Sequence, residues 1–207
     1  MKKSYLLFVL AALGFLGSCQ KENSVQQPMA VVPLSAQQEL ANISPPIILF
    51  QYSLVNLATG TESGWIIDRA GAIKKYQSES ILHMPTAENS AWTETELIEL
   101  YLLAKEDVSS VTVEELLPRA YQGKSLDKKF LSGTETNNDI TWVAAFYAYT
   151  QDNGAGDYGS CNNTSANAAD KSINQLIINL SGQLNRYETS TYAIDLHQWL
   201  LALKEKI

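Results

Sequence analysis

Short runs of apolar residues predict the first strands of the fold. Residues 47–55, IILFQYSLV, are apolar and β-branched or aromatic at most positions, which favours a strand. Residues 59–64 are predicted to form a loop. Residues 64–76 predict a β-hairpin whose turn is Asp68–Gly71, and Gly71 suits the positive φ that such a turn requires.

Two further strands are predicted nearer the C-terminus. Residues 139–150, DITWVAAFYAYT, carry apolar side chains on both alternating faces, as a central strand covered on both sides does. Residues 173–182, INQLIINLSG, fit a helix or a strand by periodicity alone. The run is short, rich in isoleucine and ends in Ser-Gly, so we predict a strand.

Two helices are predicted between these strands. Thr93 and Glu96 have the S/T-x-x-E spacing of a capping box. The apolar residues that follow fall on one helical face: Leu97, Leu100, Tyr101 and Ala104. Thr112 and Glu115 repeat the spacing, and their apolar residues are Leu116, Leu117, Ala120 and Tyr121.

Two residues shape the second helix, and a third helix follows near the C-terminus. Pro118 removes a backbone donor, so we predict a bend or a division into two short turns. Gly123 is predicted to close the helix. The last helix is capped by Ser190 and has a stripe of Tyr192, Leu196, Trp199, Leu200 and Leu203.

The order of these elements predicts an α+β fold. We expect a mainly antiparallel sheet of about five strands, with helices packed on it and a helix at the C-terminus. The globular region is predicted over residues 46–207, a size typical of one domain.

The first residues have the pattern of an export signal. Lys2 and Lys3 precede an apolar run from Tyr5 to Leu16, and small residues then lead to Cys19. The apolar run is well below the roughly 20 residues that a membrane-spanning helix needs. Residues 1–18 are therefore predicted to be a signal peptide, with an ordinary cleavage site at this position as the alternative to a lipoprotein signal.

The residues at the cleavage site resemble a bacterial lipobox. Leu16-Gly17-Ser18-Cys19 matches that motif, which implies cleavage before Cys19 and lipid on its sulfur and its amine. The next residues, QKEN, resemble in part the signal that sends Bacteroidota lipoproteins to the cell surface. The resemblance implies an outer-membrane, surface-exposed location. Residues 19–45 are rich in Gln, Ser, Ala and Pro, and are predicted to form a lipid-anchored flexible tether.

The net charge of the chain limits the classes of partner that it is expected to bind. The formal net charge is −7, and removal of Lys2 and Lys3 with the signal takes it to −9. An acidic surface argues against nucleic acid and against electrostatic attachment to anionic lipid. The expected membrane contact is therefore the lipid itself, since buried acyl chains supply stable anchoring.

The loop DNGAGDYGSC, residues 152–161, carries the densest group of candidate site residues. They are Asp152, Asn153, Asp157 and Cys161. Its G-A-G-D-Y-G matches G-x-G-x-x-G, but no helix start follows, so a dinucleotide site is not expected. Oxygen-bearing side chains allow calcium, although the EF-hand order is not met. We expect no cofactor, with calcium as the open alternative, and a surface loop as the simplest interpretation.

Other chemistry receives little support from the sequence. Cys161 precedes His197 in the order that some cysteine hydrolases use, but no local signature surrounds it. His83 is predicted to be a loop residue, and no metal-ligand spacing is present. Aromatic residues are expected mostly in the core, with Trp92 as the one most exposed. Cys161 is expected to be an idle or buried thiol, because Cys19 would carry lipid.

The globular region resembles a family of functionally uncharacterised Bacteroidota outer-membrane or surface lipoproteins. The resemblance is carried by three segments: GWIIDRAGAIKKY, AFYAYT, and LIINLSG with RYETSTYAIDLHQWL. It implies a strand, a glycine turn and a helix for the last segment, and it implies no catalytic residues. We therefore expect a non-catalytic module that binds a protein or glycan. A small extracytoplasmic hydrolase acting on peptide or glycan and an accessory subunit of an envelope assembly are the alternatives.

Overall fold

A computed structural model of the chain describes residues 35–43, 46–86, 88–127, 129–132, 139–151 and 172–207. All of them belong to one compact unit, Leu34–Ile207. The predicted signal peptide, Cys19 and the loop of residues 152–161 lie outside the described residues.

The described residues form nine strands in one antiparallel sheet. The strands are β1 Ile48–Asn56, β2 Thr61–Asp68, β3 Ala72–Ser78, β4 Ser90–Thr93, β5 Glu106–Ser110, β6 Phe130–Ser132, β7 Trp142–Gln151, β8 Ser172–Gly182 and β9 Arg186–Glu188. Their order across the sheet is β5-β3-β2-β1-β7-β8-β9-β6, and β4 also pairs with β8. Every pairing is antiparallel.

Four helices accompany the sheet in the described part of the chain. They are α1 Ala36–Asn42, α2 Glu94–Leu103, α3 Val113–Lys124 and α4 Thr191–Lys204. Capping side chains begin each of them, and the predicted caps Thr93, Thr112 and Ser190 are confirmed. Each cap oxygen accepts a hydrogen bond from the third helical N–H, which would otherwise lack a partner.

Apolar side chains cover both faces of the sheet and form two cores. One core packs sheet residues such as Phe50 and Ile178 against Leu40 of α1, Leu116 of α3 and Leu196 of α4. The second core packs the opposite face against α2 and β4, with the following buried residues: Ile48, Ile66, Trp92, Leu97, Leu100, Val143, Ile177 and Leu180. Central strands are thus buried on both sides, as β7 was predicted to be.

The predicted α+β class and antiparallel sheet are confirmed, but the strand count was too low. The prediction of about five strands included β1, β2, β3, β7 and β8. The missing strands β4, β5, β6 and β9 have three to five residues each. Such short segments carry no complete alternating pattern, so only their pairing in the folded sheet defines them.

Part of the predicted tether belongs to the compact unit. Ser35 and Gln38 form a reciprocal capping box at the start of α1, and Leu40 is buried. Tyr121 of α3 donates a hydrogen bond to Glu39, with 3.0 Å between Oη and Oε1. Residues 36–42 are therefore a packed helix, and the prediction of a tether is wrong over them.

The second predicted helix is continuous through Pro118. α3 runs unbroken over 12 residues with Pro118 inside it. Gly123 does not close this helix, because the helix ends at Lys124 and its cap is Ser125. Gly123 instead faces the sheet, where an added Cβ would lie 3.4 Å from Cβ of Ala148. Glycine therefore allows α3 to lie close against the sheet.

Candidate functional site

A buried polar network crosses the sheet on the face that carries α2. Gln51 of β1 lies at its centre, and its Nε2 donates to Oη of Tyr76 at 2.7 Å. Its Oε1 accepts from Oη of Tyr149 at 2.5 Å and from Nε2 of Gln175 at 3.2 Å. Ser90 of β4 then donates to Oε1 of Gln175 at 2.8 Å. The network therefore joins β3, β1, β7, β8 and β4 across the central part of the sheet.

Glu62 of β2 lies at one end of this network, and its carboxylate is buried. The side chain is 3% exposed, and its Oε1 accepts from Ser53 Oγ and from Tyr76 Oη, each at 2.8 Å. Its Oε2 accepts from the main-chain N–H of Leu82 at 3.0 Å. These donors compensate for the loss of solvent around the carboxylate. The contact with Leu82 also ties the β3–β4 connection to the sheet.

The tyrosines of the network stay protonated at physiological pH. Burial raises the pKa of Tyr76 well above its usual value, and the nearby charge of Glu62 raises it further. Burial likewise raises the pKa of Tyr149. Tyr147, beside them on the same face, has a pKa raised by burial and then by Glu62. Tyr76 and Tyr149 are therefore neutral, and each donates one hydrogen bond within the network.

An open groove of about 280 Å³ lies next to this network, between α2 and the β3–β4 connection. Its lining consists of Ser78, Leu82, His83, Trp92, Glu96, Glu99, Leu100 and Leu103, and we call it the α2 groove. His83 packs over Trp92 with 4.8 Å between ring centroids. Trp92 in turn meets the edge of Tyr149 at 5.9 Å. The groove wall is thus braced by the polar network beneath it.

The α2 groove combines apolar walls with acidic side chains. Glu96, Glu99 and Leu103 lie three or four residues apart on α2, so they share one side of the helix. Glu96 uses Oε2 to accept from the N–H and the hydroxyl of Thr93. The indole N–H of Trp92 is buried and has no hydrogen-bond partner among the described residues. The groove therefore offers apolar contact and negative charge.

Two other cavities are less well suited to recognition. One of about 540 Å³ lies between α1 and the start of α2, and its lining includes Pro46, Gln151 and Ile173. Each of these is next to, or one residue from, a part of the chain outside the described residues. Another of about 410 Å³ lies beside Trp65 at the sheet edge and is more open. The second of these cavities is lined by Tyr76 of the polar network, but neither cavity combines two acidic side chains with aromatic and apolar walls as the α2 groove does.

The structure corrects the prediction for Trp92 and leaves the candidate residues of the loop 152–161 untested. Trp92 was expected to be the most exposed tryptophan, but it is only 4% exposed, because β4 pairs with β8 and holds the ring over Tyr149. Asp152, Asn153, Asp157 and Cys161 all lie outside the described residues. Their grouping, and any approach of Cys161 to a histidine, therefore stay predictions.

His197 packs against the sheet on the opposite face from the α2 groove. Its ring meets the edge of Phe146 with 5.1 Å between centroids. The residue is half-buried, and burial lowers its pKa below the usual value near 6.5. His197 therefore belongs to the helix-sheet packing of α4.

The lowered pKa of His197 predicts a loss of stability in mild acid. The unfolded chain binds a proton on this histidine at a higher pH than the folded chain does, so the free energy of unfolding falls as pH drops below about 6.5. The fall ends once pH is below the folded pKa. We expect His197→Gln to remove this part of the pH dependence, measured by urea unfolding at closely spaced pH values.

The matched control for this experiment is His83→Gln, which removes the other histidine of the chain. The decline should persist in that variant because His197 is intact. An unchanged decline in His197→Gln would show that other groups cause it.

The comparisons with known proteins add no relative to this picture. No protein-family model, curated protein or solved structure matches the chain. Within the described residues, no three His, Cys, Asp or Glu side chains are grouped as a metal site requires. In the same part of the chain, no helix has the length and apolar character needed to cross a membrane.

Proposed function

We propose that the protein is a lipid-anchored outer-membrane or cell-surface protein whose α+β domain is a non-catalytic binding module. The observation that carries the binding role is the α2 groove, an aromatic and acidic recess braced by a buried polar network. Concave sites with apolar walls and a few polar groups are the usual form of a ligand site. The groove therefore supplies a surface on which a partner can be recognised.

The chemistry beneath the groove supports binding rather than catalysis. Catalytic acids and bases must exchange protons with a substrate at working pH. Here Tyr76 and Tyr149 have pKa values raised by burial, and both already take part in hydrogen bonds within the network. The carboxylate of Glu62 is occupied by three donors. These groups hold the groove wall in place.

The anchoring half of the proposal rests on the N-terminal sequence. Leu16-Gly17-Ser18-Cys19 resembles a lipobox, and the following QKEN resembles a surface-export signal of Bacteroidota lipoproteins. Cys19 precedes the compact unit, which begins at Leu34. The proposed arrangement is a binding domain held at the membrane by acyl chains.

The lipid is expected on Cys19 and nowhere else. Expression of the full chain in a bacterium fed labelled palmitate should give a labelled protein that partitions into detergent. Cys19→Ala should abolish labelling and leave the protein in its precursor length, because both lipid attachment and cleavage depend on that cysteine.

The control is Cys161→Ala, which removes the other cysteine and should leave labelling unchanged. Labelling that survives in Cys19→Ala, or that is lost in Cys161→Ala, would overturn the anchoring proposal. Mass spectrometry of the N-terminal peptide identifies the modified residue directly.

A further inference from the structure

The α2 groove is lined by acidic side chains, and this charge indicates the class of ligand that it can bind. We infer that the groove takes the side chain of an arginine presented by a partner protein. The inference rests on the proposed binding function of the groove and deepens it by naming the ligand class. Three properties of the groove carry it, namely its charge, its size and the nature of its walls.

The lining of the groove carries two negatively charged side chains and no positively charged one. Glu96 and Glu99 line the groove, and no Lys or Arg does. Among the described residues, ion pairs join Lys74 to Asp107 and Lys129 to Asp127, and neither pair includes a groove residue. Two nearby carboxylates repel each other, and a bound cation relieves that repulsion. The groove is therefore complementary to a positively charged group.

The size of the groove fits one long side chain. Sites for drug-sized ligands have volumes of roughly 300–1,000 Å³. The α2 groove, at about 280 Å³, lies just below that range. A whole oligosaccharide or lipid would exceed it, whereas a single residue projecting from a partner surface would be enclosed.

The walls favour arginine over a small cation. Leu82, Leu100 and Leu103 provide apolar contact for a methylene stem, as long basic side chains require. The ring of His83, which packs over Trp92, supplies aromatic surface on which a planar guanidinium can stack. A metal ion would make no use of the apolar walls, and the described residues hold no group of three His, Cys, Asp or Glu side chains suited to one.

The test compares three short probes that differ in charge. The chain from residue 19 onward, with Cys19→Ser, is labelled with ¹⁵N and titrated with acetyl-Gly-Arg-Gly-amide, with its citrulline analogue and with a neutral disaccharide. The indole N–H signals of the four tryptophans are followed. We expect the arginine peptide to shift the Trp92 signal with a Kd on the order of millimolar, as a single side chain allows. The citrulline peptide should bind at least about tenfold more weakly, because it loses the charge-assisted contact.

The matched variants are Glu99→Gln and Glu94→Gln. Both remove one negative charge from α2, but only Glu99 lines the groove. Glu99→Gln should weaken arginine binding by about three- to tenfold, the effect of a partly screened charge pair. Glu94→Gln should leave binding within about twofold. Higher salt should weaken arginine binding to the unaltered chain and have less effect on the Glu99→Gln variant.

Each remaining outcome decides against the inference in a distinguishable way. If citrulline or the disaccharide shifts the Trp92 signal as strongly as arginine, the arginine assignment is wrong and the binding groove stands. If Glu94→Gln and Glu99→Gln weaken binding equally, the arginine peptide is attracted by the net charge of the protein and does not bind in the groove. If no probe shifts any groove signal at tens of millimolar, both the inference and the proposed binding site are overturned.

Discussion

Replacement of Glu62 by leucine is expected to lower the free energy of unfolding by about 3 kcal/mol. The carboxylate accepts hydrogen bonds from Ser53, Tyr76 and the N–H of Leu82. A buried donor left without an acceptor costs roughly 1–3 kcal/mol. Leucine is one bond shorter than glutamate, and its apolar contacts offset part of that loss. The measurement is urea unfolding at neutral pH, where the midpoint and slope give the free energy.

Two further variants separate the network from the mere loss of a charge. Glu62→Gln keeps one acceptor oxygen and the side-chain size, so a smaller loss of about 1–2 kcal/mol is expected. Glu106→Leu removes an exposed glutamate from the edge strand β5 and should change stability by no more than about 0.5 kcal/mol. Equal effects of Glu62→Leu and Glu106→Leu would show that the buried hydrogen bonds contribute nothing specific.

The same substitution tests the coupling between the network and the α2 groove. Leu82 both lines the groove and donates its N–H to Glu62. Loss of that acceptor frees one attachment of the β3–β4 connection, which carries His83 over Trp92. The indole N–H signal of Trp92 should therefore move in Glu62→Leu, whereas the signal of Trp199, which donates to Glu115 on the other face, should not.

Long periodic segments of the fold could be predicted from the sequence. β1, β7 and β8 are apolar runs long enough to be predicted as strands. The starts of α2, α3 and α4 are marked in the sequence by capping residues. The segment EDVSS of β5 has no buried residue, so its strand form depends on pairing with β3. α1 buries Leu40 alone, which is too little for a stripe, although its capping box Ser35 and Gln38 was visible in the sequence.

The site was harder to predict because its residues lie inside strands. Gln51 and Ser53 occupy alternate positions in an apolar run, a pattern that places two polar groups on one buried face. Glu62 lay in the predicted loop of residues 59–64, yet β2 already begins at Thr61. The α2 groove brings together β3, β4, α2 and the connection between two of them. No spacing in the sequence encodes that convergence.

A substitution in the hairpin turn between β2 and β3 is expected to have the second large effect on stability. Gly71 has φ of +88°, as its predicted role in the turn required. Its carbonyl accepts from the N–H of Val111 at 2.9 Å, and an added Cβ would lie 2.2 Å from the main-chain oxygen of Val111. Asp68 holds the turn by accepting from the N–H groups of Ala70 and Ala72, both at 2.9 Å. The turn and the end of β5 are therefore fixed against each other by main-chain atoms.

Gly71→Ala is expected to destabilise the domain by about 3 kcal/mol or more. The left-handed backbone alone costs a residue with a Cβ roughly 1–2 kcal/mol. The contact with Val111 adds to this, because main-chain atoms must move and the hydrogen bond to Gly71 weakens, a net loss of about 1 kcal/mol or more. Urea unfolding of the variant beside the unaltered chain measures the total.

Gly60→Ala separates the cost of the left-handed backbone from the cost of the contact with Val111. Gly60 has a similar φ of +70°, but an added Cβ there would meet nothing within 4 Å. This variant should therefore lose only the backbone contribution of about 1–2 kcal/mol. The difference between the two variants measures how firmly the turn is held against β5. If both lose the same free energy, the close approach to Val111 is readily relaxed, and the edge strand is not fixed by this turn.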